Sequence, residues 1–544
     1  MHRSTVTAWL LAGALGVATL LRAAAPAGGK ERLRQLVRLP RLSFDLGFAF
    51  DPLRGMVLPP NLLELNREIA KLRPSLEEDA ANAAGYARLA QLYAEAGRTL
   101  DARRARAKAV SLYRQQGIEQ SSDALKLAAF GVVLLGTDEI EEAERVLRRA
   151  VNLAPNEWRT LSGLARCLTV KAMVALGPRP GSRPETAWIA MLLMDALTDK
   201  PSQAQTDAAE QATDEAVALY GRAIALEPKD PEPYVGRAGA LTLRSCLQFL
   251  KEPTAGSAEP GGMRFARALY PATALPDMRA AARYAPRDPL RIGIAAWYEV
   301  STAFLERGTF PLEHLATGES WTNLPDSARQ AVREAMARLE DLGQGTEKAA
   351  AAAALEMLAA LQAYVVSDPR GAEASLRRAV ALDPQRSSAW DLLVFVLVTS
   401  QRPADLLAVC EARMKEEESA RNRLLVAKAQ EQLGHWDDVF AEVRTLQRRY
   451  PEDFYAQLAL AAALLRNATD PAAFEQPAQL LAKAEKLAGD SPSRDQVVNL
   501  LFLRGLLLGL ADQPEAARTQ LKRALELDKE TAGAAEALQI LEQQ

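Results

Sequence analysis

The sequence predicts an all-α solenoid of stacked antiparallel helix pairs with insertions, and three observations carry that expectation. Apolar residues make up 49% of the chain and are dominated by Ala and Leu, the strongest apolar helix formers, while aromatic residues are only 6%. A spaced pattern recurs: Ala143, Leu147, Ala150 and Pro155 lie four, three and five residues apart. The same spacing returns at Ala216, Tyr220, Ala223, Pro228, at Ala274, Met278, Ala281, Pro286 and at Ala372, Leu376, Ala379, Pro384. Finally, 544 residues exceed one ordinary compact domain, and an elongated array accommodates that length.

The recurring spacing has a direct physical reading. Its three apolar positions fall on one helical face, and alanine there lets a neighbouring helix approach closely. Proline then stops the helix and opens the turn. Other apolar-periodic helices alternate with these, such as the one opening at Trp158 and Leu161, so helix pairs follow one another.

Taken in order, residues 1–27 are expected to be a signal peptide or an N-terminal membrane anchor. No charge occurs between Arg3 and Arg22, and Ala8 to Leu21 is continuously small or apolar. Ala25-Pro26-Ala27 before Gly28 offers a small-residue cleavage site, which points to export to the periplasm, the cell envelope or the exterior. The uncharged stretch, residues 4–21, is also about long enough to span a bilayer. Arg22, Lys30, Arg32, Arg34, Arg38 and Arg41 crowd its C-terminal side, and such a bias favours a cytoplasmic location for that flank if the segment stays uncleaved. Residues 28–75 read as a connector, in which Phe44, Leu46, Phe48 and Phe50 alternate as in an extended docking arm.

Residues 76–250 form an N-terminal array, 251–345 an irregular helical region and 346–544 a C-terminal array. The copies are unevenly spaced, because Gly177 to Pro184 and about Gly308 to Gly345 are insertions.

At these residues the chain resembles the tetratricopeptide repeat family, whose unit of roughly 34 residues reads W-x2-L-G-x2-Y, A-x3-F and P. Tyr86, Leu89, Ala90, Tyr93, Gly97 and Ala102 follow that order, with Arg106 in place of the large apolar residue. Phe130, Gly131, Leu134, Ala143, Leu147, Ala150 and Pro155 give a second unit. Trp390, Leu393 and Leu397 open another, and Gly505, Leu508, Ala517, Leu521 and Ala524 form the last, with Lys529 where proline is usual. The resemblance implies a right-handed superhelix whose first helices line a concave groove that binds other proteins. Mapped residue by residue, it places Gln91, Glu95, Arg159, Arg166, Asp391, Phe395 and Lys428 on that groove. The chaperone-type carboxylate clamp is missing, since Ala87, Gln91 and Ala129 stand where Lys and Asn would be. The asparagine ladder of glycosyltransferase arrays is missing too, with Arg88, Ala129, Thr160, Leu392, Leu425 and Gln457 at its positions.

Catalytic constellations are absent from the sequence. His2, His314 and His435 are far apart, without paired-ligand spacing, and neither a phosphate-binding loop nor G-x-S-x-G occurs. Cys167, Cys246 and Cys410 are widely spaced and odd in number, unlike a disulfide framework or a zinc site. A net charge of −3 supplies no basic field for nucleic acid. The expectation is therefore a protein without catalytic, metal or cofactor sites that binds protein partners. Membrane association through residues 4–21 stays open, as does self-association, for instance through the apolar run Phe502 to Leu510.

Overall fold

The computed structural model describes residues 29–40, 62–95, 99–137, 139–176, 200–251, 261–308, 320–489, 494–528, 531 and 533–543. The hydrophobic N-terminus, the alternating aromatic segment at 43–51 and the Gly177 to Pro184 insertion lie outside the described residues. Among the described residues every regular element is helical. By contacts the chain divides into two units. One is Leu46–Ala389; the other joins Trp390–Gln544 to the N-terminal Met1–Asp45.

In the first unit, after Leu62–Glu78, helix pairs succeed one another: Ala83–Glu95 with Thr99–Gln115, Ala124–Leu135 with Ile140–Leu153, and Trp158–Leu176 with Gln203–Leu226. Glu232–Lys251 packs on Leu275–Tyr284, Pro289–Glu306 on Asp326–Gly343, and Lys348–Leu361 on Pro369–Leu382. Within residues 251–345, the helices Leu275–Tyr284, Pro289–Glu306 and Asp326–Gly343 take part in such pairs. The short helix Gly261–Leu269 is lodged inside one pair, and the 177–199 insertion falls between the two helices of another.

The recurring spacing sets the packing. Ala143, Leu147 and Ala150 are fully buried, as are Ala216, Ala223, Ala372, Leu376 and Ala379. Each of these helices ends one residue before the residue that precedes proline: Ala154, Glu227, Ala285 and Asp383 have ψ between 66 and 83°. Steric pressure from the following proline excludes the helical region there. The N–H of each still donates to the carbonyl of the last alanine in the pattern, at 2.9 to 3.0 Å, which closes the final turn. Glycine completes the contact from the first helix. A Cβ on Gly131 would stand 2.5 Å from Leu147 Cγ, and one on Gly505 2.6 Å from Leu521 Cγ, so these crossings leave no room for a side chain.

Lys348–Val366 is long and apolar enough to cross a membrane, but Ala351–Leu361 is buried against its neighbours, as a core helix is. Within it Glu356 is buried and bonded to Arg386, also buried.

In the second unit Ser387–Thr399 and Pro403–Glu416 are bridged by an ion pair between Asp391 and Arg413 at 2.5 Å. Ala420–Leu433, Trp436–Arg449, Phe454–Asn467, Glu475–Ala488, Arg494–Leu510 and Pro514–Leu527 then alternate as first and second helices, and Ala534–Glu542 closes the array. First helices touch first helices: Ala420–Leu433 meets Phe454–Asn467, which meets Arg494–Leu510. The run Phe502 to Leu510 is largely spent inside the array, where Phe502, Leu503, Leu506 and Leu510 are buried in its core.

Part of the segment expected to be a connector belongs to this unit. Gly29–Gln35 is a helix packed on Phe454–Asn467, Arg494–Leu510 and Ala534–Glu542. Its Leu33 and, just after it, Val37 and Leu39 join the hydrophobic core of the array.

Candidate functional site

Residues 29–40 lie on the first-helix face of the C-terminal array, crossing its helices in reverse order. Leu33, Val37 and Leu39 are at most 2% exposed and share a core with Leu424, Phe502, Leu503 and Leu541. Leu33 and Val37 are one helical turn apart, and Val37 and Leu39 are two residues apart, so a helix passing into extended chain turns all three to the array. Burial of each contributes roughly 1.5–3 kcal/mol. Gly509 lies beneath the first of them: a Cβ there would be 3.2 Å from both Leu33 Cδ1 and Leu541 Cδ2.

The array also reads the backbone of the segment. Arg466 Nη1 donates to the carbonyls of Arg34 and Gln35, each at 3.2 Å, and of Val37 at 3.3 Å. Arg34 and Gln35 end the helix, the Arg34 carbonyl also accepts from the Val37 N–H at 3.0 Å, and a cation here opposes the negative end of the helix dipole. The Arg466 guanidinium stacks on Trp436, 4.1 Å from the ring centroid. Burial, with Arg38 close by, pulls its pKa below the ordinary arginine value.

Farther along, the Leu39 N–H donates to Glu431 Oε1 at 2.8 Å, and Lys428 Nζ donates to the carbonyls of Leu39 and Pro40 at 3.3 and 3.1 Å. Arg34 Nε in turn donates to the Ala468 carbonyl at 2.6 Å. Apolar pockets plus main-chain hydrogen bonds are the two components of peptide recognition by a groove. At the edge, Lys30 pairs with Asp512 at 2.6 Å, but both side chains are largely exposed and the pair contributes little.

The expected groove residues have different surroundings. Lys428 is half-buried under the segment. Asp391 is engaged within the array by Arg413 at 2.5 Å and Arg421 at 3.4 Å. Phe395 is half-buried on the same helix as Asp391. In the other unit Gln91 and Arg166 are exposed, and Arg159 is exposed, stacked on Trp158 at 4.7 Å and bonded to Glu157. Glu95 ends its helix, and its side chain lies outside the described residues. Sequence reasoning did not single out Arg466, Trp436, Glu431 or residues 29–40. The signal for the last was the spacing of Leu33, Leu36 and Val37, three and four residues apart, in a stretch read for its prolines and charges.

Among the described residues no group of three His, Cys, Asp or Glu side chains could hold a metal ion. Cys167, Cys246 and Cys410 are all buried. Burial pushes the thiols of Cys167 and Cys410 up to about 12, far from a reactive thiolate. His435 precedes the helix Trp436–Arg449 as its N-cap, a structural position.

No family model matches the sequence, and no curated protein matches it. Among solved structures the chain is similar to yeast Tom70, at 15% identity and a TM-score of 0.34 over 88% of this chain and 92% of that one. It is similar to a tetratricopeptide repeat protein from Parabacteroides merdae ATCC 43184, at 17% identity and a TM-score of 0.31 over 50% and 91%. Cut9 in the APC/C Cut9–Hcn1 hetero-tetramer structure is a further likeness, at 13% identity and a TM-score of 0.32 over 84% and 90%. Likenesses this distant carry no argument about function. The chain's own helix register makes it an all-α solenoid of tetratricopeptide-like pairs.

Proposed function

We propose that this protein is a non-enzymatic scaffold of the cell envelope, which holds protein partners along the first-helix faces of its arrays. The observation that carries the reading is that such a face, in the C-terminal array, is already engaged with a segment of polypeptide through apolar pockets and backbone hydrogen bonds. A surface built to hold residues 29–40 has the chemistry to hold a peptide. Placement in the envelope rests on the apolar stretch and the small residues before Gly28.

A second reading is favoured by the arginines and lysine at 22–41, namely an uncleaved anchor with the arrays in the cytoplasm. Fractionating the native host, sequencing the chain's N-terminus and identifying cross-linked neighbours separates the two. An exported chain beginning near Gly28 with a reproducible partner supports the envelope scaffold. An intact chain in the membrane with cytoplasmic partners supports the second reading, and a chain without partners in any fraction overturns both.

A further inference from the structure

The segment on the C-terminal array is covalently remote from it. The carbonyls to which Lys428 donates belong to residues nearly four hundred positions earlier in the chain. The array is continuous without it, since Arg494–Leu510 packs on Pro514–Leu527, which packs on Ala534–Glu542. The segment therefore has the relation to the array that a bound peptide has to its receptor.

Its recognition has two parts with different consequences. The hydrogen bonds that Arg466, Glu431 and Lys428 make to the segment go to main-chain atoms, and any peptide can offer those. Selectivity falls to the pockets filled by Leu33, Val37 and Leu39 and to Arg34, whose Nε donates to the Ala468 carbonyl at 2.6 Å. Residues 41–61 join the segment covalently to the helix that begins at Leu62, so the segment is a tethered ligand. A tethered ligand is held by effective concentration as well as by contact, so a partner must exceed that concentration to take its place.

We infer that residues 29–40 are a resident ligand that occludes the first-helix face of the C-terminal array, and that a protein partner engages this face by displacing them. The partner's segment has the same chemistry: a short helix with branched aliphatic side chains four and then two residues apart, passing into extended chain whose carbonyls meet Arg466 and Lys428. This deepens the scaffold reading and rests on it.

The test uses the full chain and a fluorescein-labelled synthetic peptide of residues 29–40, with binding read by anisotropy. Leu33→Asp with Val37→Asp weakens the tethered segment and leaves the receiving face intact. The expected result is at least tenfold tighter peptide binding by this variant than by the unsubstituted chain, lost again when Arg466→Ala is added. Equal affinity for both chains, or no binding to a variant whose circular dichroism is unchanged, overturns the inference.

A second measurement does not depend on that variant folding. With Lys30→Cys and Asp512→Cys, a short reducible bifunctional thiol reagent fastens the segment in place, and peptide binding is expected to fall at least tenfold and to return on reduction. Unchanged binding after verified cross-linking overturns the inference. So does a cross-link formed between two isotopically distinguished chains, which would make a second copy the occupant. Failure of peptide exchange while partners still co-purify sinks only the inference. Exchange without any partner in the host sinks the scaffold reading instead.

Discussion

Glu356 and Arg386 form a buried ion pair whose removal has a sign that depends on how it is removed. Their side chains are 4% and 3% exposed, and Glu356 is the one charge in the buried run Ala351–Leu361. The pairing is incomplete, because Glu356 Oε1, Arg386 Nη2 and Asp383 Oδ2 all lack a hydrogen-bond partner. Arg386→Met leaves the Glu356 carboxylate unpaired in an apolar helix face with the Asp383 carboxylate still close by, a loss of about 3–5 kcal/mol. Glu356→Met leaves a guanidinium that still has Asp383 beside it, and about 1–3 kcal/mol is expected. With both replaced by Met in an Asp383→Asn background, no charge is stranded and the chain should lie within about 1 kcal/mol of that background's stability. Urea unfolding followed by circular dichroism, with hydrogen exchange of 348–386 to localise the change, completes the double-mutant cycle. A loss below about 1 kcal/mol for Arg386→Met, or additive losses in the double variant, would show that the pair is not buried as described.

Three further expectations follow from the same packing. Burial raises the Asp383 pKa above its ordinary value despite the pull of Arg386, so its ionised form destabilises the fold at neutral pH. Asp383→Asn should therefore melt higher than the parent at pH 7, and the gap should close as pH falls through the raised folded pKa towards 3.8; a gap independent of pH contradicts this. Ala150→Glu forces a carboxylate into a fully buried helix crossing and should lose helical signal around 124–176, whereas unchanged melting would refute the register. Arg159→Glu with Arg166→Glu alters exposed side chains, so melting should be unaffected while capture of an acidic partner falls; unaltered capture removes both residues from the binding face.

Where alanine and proline mark the second helices, the fold was legible. It was missed where other residues satisfy the same geometry. Ala328, Val332 and Ala335 keep the spacing of four and three and are buried, but no proline follows at the fifth position. Val439, Val443, Leu446 and Pro451 repeat it with branched residues in place of alanine, all three apolar positions fully buried. Leu406, Cys410 and Arg413 are stranger: the third position holds a buried arginine, tolerated because Asp391 of the preceding helix neutralises it. Arg106, foreseen as a departure from the pattern, is half-buried against Gly136 and donates to its carbonyl at 3.4 Å. Such substitutions depend on a partner across the helix contact, which a linear pattern does not contain.

The candidate site was less legible for a related reason. Lys428 could be placed on a groove by register alone, but its contact with Leu39 and Pro40 is a pairing of distant residues. Residues 29–40 are too short to announce a receptor, because two leucines and a valine at helical spacing suit many surfaces. Only the array's own complement, an arginine stacked on Trp436 at the end of the segment's helix, distinguishes this placement.

The central claim, that the first-helix faces are where partners bind, is tested most directly by site-specific photo-cross-linking in the native host. A photoreactive phenylalanine would replace Gln91, Arg166 or Phe395 on first helices, and Arg145 or Lys522, exposed on second helices, as controls. The account predicts discrete protein adducts from the first-helix positions and none from the controls. Adducts confined to Arg145 and Lys522, or equal at all five positions, would contradict it.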